Sequence, residues 1–126
     1  MSAPESKLSE VIDVRSAGPA PTSGGPSSLL AKTATLEVRR LTLAEGREIP
    51  THLARGEITV HCLEGRIAFT SDGTTRELGA GQMLILAAGE PHSLVGLEDS
   101  SVLVTKVLPA GPPSPEAGGP PGNPRG

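Results

Sequence analysis

From residue 36 to residue 108 the apolar side chains recur at alternate positions, and many of them are β-branched. Gly, Pro, Asp and Ser interrupt them at intervals of about eight to twelve residues. No stretch in this span carries the three-to-four-residue spacing of a helical face. That combination restricts the fold severely. Strands of this kind bury one face each, and with no helix to cover those faces they can only cover one another. The middle of the chain is therefore expected to be all-β, an antiparallel sandwich or barrel of about eight short strands.

Residues 36–43 (LEVRRLTL) are read as a strand alternating on one face, and 58–63 as another that ends at the turn Glu64-Gly65. Strands at 66–70 and 74–78 flank Ser71-Asp72-Gly73, whose Asp-Gly pair supplies the positive φ of a tight hairpin. Strands at 83–86, 92–95 and 101–108 complete the set. The ends differ in character. Residues 109–126 hold twelve Pro or Gly among eighteen positions and no large apolar side chain, so they have nothing to bury and are expected to be disordered. At the other end, 10–15 is read as an added edge strand, and the Pro/Gly/Ser stretch 16–28 as unable to propagate helix or sheet. The expected organisation is an N-terminal extension at 1–28, one barrel at 29–108 and a tail at 109–126.

Composition narrows function by exclusion. The formal charge is −3, no run of Lys or Arg stands out, and Phe69 is the single aromatic residue. The chain thus has neither an electrostatic footprint for nucleic acid nor a platform for stacked bases. The absence of Trp and Tyr argues against sugar binding as well. No apolar run approaches the roughly twenty residues of a membrane span, and no basic start followed by an apolar stretch opens the chain; a soluble cytoplasmic protein is expected. The single cysteine, Cys62, lies in an apolar strand with no cation beside it, and is read as a buried thiol in a reducing compartment.

Two spaced motifs carry more specific information. Gly46, five residues, His52 and then Gly65 is followed by Gly81, five residues, Ala87-Ala88-Gly89-Glu90-Pro91-His92. In this order they resemble the two motifs of the cupin family over roughly residues 36–108. The resemblance implies a jelly-roll β-barrel with His52 and His92 at its mouth, and glycines where the backbone turns with positive φ. It also implies a second histidine at position 54, a carboxylate or amide at 58 and an asparagine at 96. Here those positions hold Ala54, Ile58 and Gly96.

The family's metal is held by several imidazoles and one oxygen donor, so His52 and His92 alone would leave most of the shell to water. Glu57 and His61 are the nearest replacement ligands for a divalent Fe, Mn, Ni or Zn ion. Strand alternation sets both on the opposite face from Ile58, Val60 and Cys62 unless a bulge intervenes. Three functions are compatible with this pattern: a pocket for a small polar molecule, a metal-dependent enzyme of dioxygenase or isomerase type, and a non-catalytic dimeric scaffold. A homodimer is expected, with Leu41 or Leu43 and the piece 11–14 as outward apolar area.

Overall fold

Nine strands organise the computed structural model, which describes residues 9–15 and 27–109. They are β1 (Ser27–Lys32), β2 (Leu36–Leu43), β3 (Glu48–His52), β4 (Ile58–Glu64), β5 (Arg66–Ser71), β6 (Thr74–Gly79), β7 (Met83–Leu86), β8 (His92–Gly96) and β9 (Ser100–Val107). A five-stranded sheet, in the order β1-β2-β9-β4-β7, faces a four-stranded sheet, β3-β8-β5-β6. Every pairing is antiparallel. This is the all-β jelly-roll arrangement expected above.

The pleat explains the core. Ile58, Val60 and Cys62 of β4 and Val102 and Val104 of β9 point inward from one sheet; Ile67 and Phe69 of β5, Leu78 of β6 and Leu94 of β8 meet them from the other. Phe69, Leu43, Ile67, Val60, Val102 and Cys62 are fully enclosed. Burial of each such large side chain contributes about 1.5–3 kcal/mol of hydrophobic free energy. Burial also pushes the Cys62 thiol up from the ordinary range, and its S–H donates to the Glu64 carbonyl at 3.4 Å, so the cysteine is a core residue.

The turn at Asp72-Gly73 has positive φ at both residues, 50° and 72°, and directly joins the pair Ser71↔Thr74. Gly65, between β4 and β5, combines a φ of 81° with close packing: a Cβ there would stand 2.3 Å from the Asp99 carbonyl oxygen and 2.4 Å from Ser100 Oγ.

Several expectations need correction. Residues 27 and 28, placed above in a non-propagating stretch, begin β1, because the backbone of β1 pairs with β2 from Ser27↔Leu41 to Lys32↔Glu37 and ladder bonding does not need an apolar pattern. The piece 10–15 is not a strand: it is irregular, ends in a bend and is closed by an Arg15 N–H to Asp13 Oδ1 bond of 2.9 Å. The apolar residues of β2 do not share one face. Glu37, Arg39, Leu41 and Leu43 point inward and Leu36, Val38, Arg40 and Thr42 outward, with the β2–β9 register unbroken from Leu36↔Val107 to Leu43↔Ser100. Leu41 and Leu43 are therefore interior and offer no dimer surface. Arg40 faces outward but is covered, donating from Nη2 to Ser101 Oγ at 2.9 Å. The disordered ends expected at 16–26 and 110–126 lie outside the described residues.

Replacement of Gly65 by Ala combines left-handed strain with a clash, whereas Gly46, at φ 84°, has open space around its missing Cβ. Gly46→Ala is expected to lose about 1–2 kcal/mol and Gly65→Ala at least about twice that, measured by urea denaturation of the two variants.

Candidate functional site

The two sheets are not filled evenly along their length. On the inward face of β9 the run Val102, Val104, Lys106 passes from aliphatic core to a charged side chain, and on β2 the inward run Leu43, Leu41, Arg39, Glu37 does the same. At that end the barrel opens into a cavity of about 400 Å³. Leu41, Ile58, Val60, Phe69, Leu94 and Val104 form its apolar wall.

His52 and His92 stand at this mouth. β3 pairs with β8 through Ile49↔Leu94 and then His52↔His92, three residues against two, so one extra residue is accommodated at Pro50-Thr51. This bulge restores the inward direction of His52, so that both Ile49 and His52 line the cavity. Proline fits there because β3 is an edge strand and the position needs no ladder donor. His52 thus closes β3.

The imidazoles touch edge to face, with ring centroids 4.3 Å apart and an interplanar angle of 61°. His92 is also stacked on Phe69 at 5.5 Å. Each ring is oriented by the backbone: His52 Nδ1 lies 2.9 Å from the Pro50 carbonyl oxygen and His92 Nδ1 3.0 Å from that of Glu90. A carbonyl only accepts, so Nδ1 of each ring carries the proton and Nε2 is left as the basic nitrogen. Burial lowers the pKa of His92 below the ordinary 6.5; the Glu90 carbonyl opposes this, while the His52 and Lys106 charges act with it.

The cavity's third component was not recognised in the sequence. Glu37 is flanked on its own rung by Lys32 of β1 and Lys106 of β9. It accepts a hydrogen bond from Arg39 Nε, which holds its carboxyl below the usual range against the opposing effect of burial, with help from the charges of Lys106 and Lys32. Arg39 Nη1 also donates to Ser27 Oγ at 3.1 Å. Of the two arginines in β2, neither stands free on the surface. The available signal was the phase break in LEVRRLTL, where Glu37 and Arg39 share parity with Leu41 and Leu43.

The structure brings His52 and His92 together and does not bring Glu57 or His61 to them. Glu57 is exposed before β4, and His61 points to the outer side of the five-stranded sheet, opposite Met83 and Leu103. Ala54 and Ile58 do line the cavity. Among the described residues no three His, Cys, Asp or Glu side chains are grouped to hold a metal ion. Two imidazoles with an alanine and an isoleucine beside them do not fit a resident metal, which needs three or four protein donors.

The cupin-domain family model matches residues 39–107, more than half of the chain. The chain belongs to the cupin family. Solved structures agree on the fold of this cupin. A conserved protein of unknown function from Streptococcus pyogenes is similar with a TM-score of 0.69 and 27% identity, over 86% of this chain and 96% of that one. A cupin superfamily protein from Desulfitobacterium hafniense gives 0.70 at 18% identity, over 84% and 99%. An RmlC-like cupin from Shewanella frigidimarina gives 0.67 at 20% identity, over 79% and 91%. No functionally curated protein matches the sequence.

The neutral state of His92 has a consequence for stability. Its native pKa lies below its unfolded value near 6.5, so the unfolded chain takes up the proton first as the pH falls. Stability is expected to be intact above pH 6.5 and to decline below it through the lowered native pKa; His92→Gln should flatten this part of the profile in urea titrations at stepped pH.

Proposed function

We propose that this cupin is a binding domain whose pocket, at His52 and His92, takes up a small polar molecule and does not depend on a resident metal. The observation that carries this reading is that Ala54 and Ile58 line the cavity beside the imidazole pair, where further ligands would have to stand. The cavity of about 400 Å³, apolar in its walls with a few convergent polar groups, has the size and character of a small-molecule site. A metal-dependent enzyme of dioxygenase or isomerase type would need a third protein donor that these residues cannot supply.

Elemental analysis of the untagged protein after reconstitution with Fe, Mn, Ni and Zn is the direct test, with a His52→Ala/His92→Ala variant as control. Substoichiometric metal is expected. One tightly held equivalent, lost in the double variant, would overturn the proposal.

A homodimer through the outer side of the five-stranded sheet is part of the same reading. Met83 and Ile85 of the edge strand β7 point outward and are 51% and 67% exposed, on the same face as Val38 and Leu103. A symmetric contact would remove this apolar area from water. Light scattering after gel filtration should give a dimer, and Met83→Lys/Ile85→Lys a monomer with unchanged β-sheet circular dichroism. We place the protein in the cytoplasm on the strength of the buried free thiol of Cys62. Among the described residues no helix is long and apolar enough to cross a membrane.

A further inference from the structure

We propose that the cavity is selective for organic monocarboxylates with an apolar body, and that Lys106 is the residue that receives the carboxylate. The inference deepens the binding reading above and rests on it.

Lys106 is half-buried on the inward side of β9, one rung above Val104. An ammonium group at a cavity with an apolar wall is a natural partner for an anion that enters it. The nearest acid on its rung is Glu37, the direct cross-strand partner of Lys106, and that carboxylate is engaged by Arg39. None of the salt bridges among the described residues involves Lys106. It lines the cavity together with Glu37, Arg39 and the two imidazoles, and its charge acts on both Glu37 and His92.

The alternative anchors inside the cavity are spoken for. Arg39 donates to Glu37 and Ser27. Each histidine has its Nδ1–H turned to a backbone carbonyl, and the neutral His92 presents an Nε2 lone pair that repels a carboxylate but accepts a hydrogen bond from a ligand O–H or N–H. An acid therefore enters with its charge at Lys106. Its body lies against Ile58, Val60, Phe69, Leu94 and Val104, and any donor it carries is directed to the imidazoles. One cation outside any salt bridge suits one carboxylate, and a second negative charge would meet aliphatic wall.

The surface beside the cavity has the matching sign. On the outer side of Lys106 and Glu37 a shallower cleft of about 270 Å³ continues past Ala54 and Gly56 and adds the exposed Arg55. In a chain whose formal charge is −3, cations at this approach favour the arrival of anions over their exclusion.

The test uses two matched pairs of probes, hexanoate with hexanamide and benzoate with benzamide, titrated into the full chain by calorimetry and by amide NMR shifts in β2, β8 and β9. The carboxylate of each pair should bind at least about tenfold more tightly than its amide, the discrimination expected of a charge-assisted contact. Lys106→Met should abolish the difference and Lys106→Arg should retain it. Equal affinity for acid and amide, or an unchanged preference in Lys106→Met, would overturn acid recognition while leaving the pocket a small-molecule site. If no probe shifts any of these signals, both the acid selectivity and the underlying binding proposal are rejected.

Discussion

The interior of this barrel depends first on strand parity. In a pleated strand alternate side chains share a face, and two sheets packed face to face turn that rule into an inside and an outside. With Phe69 as its single aromatic residue, the chain builds its core from aliphatic side chains and one thiol, so the interior depends on many medium-sized residues in correct phase. The same parity that seats Val102 and Val104 also commits Lys106 to the interior, and the parity of Leu41 and Leu43 commits Arg39 and Glu37. The charged cavity is the upper part of the hydrophobic core, reached along the same strands.

One deliberate break in parity creates the histidine pair. The extra residue at Pro50-Thr51 lets Ile49 and His52 both face inward, which an unbroken strand would forbid. The bulge also supplies the carbonyl of Pro50 that fixes the ring of His52, while the Glu90 carbonyl does the same for His92. Both Nε2 atoms are thereby committed to the same role. With methyl and sec-butyl groups at positions 54 and 58, the mouth sets two backbone-oriented imidazoles against apolar wall.

Charge at the mouth is arranged in layers. Lys32, Glu37 and Lys106 lie side by side on neighbouring strands, and Arg39 reaches Glu37 from one rung deeper. The single carboxylate is stabilised in its ionised form by this surrounding of cations, and the local balance is positive although the chain as a whole is acidic. Nearby positive charge in turn works with burial to keep His92 neutral.

Local pattern was sufficient for the strands at 36–43, 58–63, 66–70, 74–78, 83–86, 92–95 and 101–108, for the Asp72-Gly73 turn and for the motif positions of His52 and His92, because alternation, turn chemistry and spacing are properties of neighbouring residues. Alternation also sufficed to put His61 on the other face of β4, whereas the reading of Ala54 and Ile58 as positions at the cavity came from the resemblance to the cupin motifs. Three things required the tertiary structure. Strand β1 has little pattern of its own and exists by pairing with β2. The inward direction of Leu41 and Leu43 was ambiguous because apolar residues occupy both faces of LEVRRLTL, and only the opposing sheet decides which face is covered. The convergence of Glu37, Arg39 and Lys106 joins residues about seventy positions apart through the β2–β9 register, a long-range pairing that no local spacing encodes.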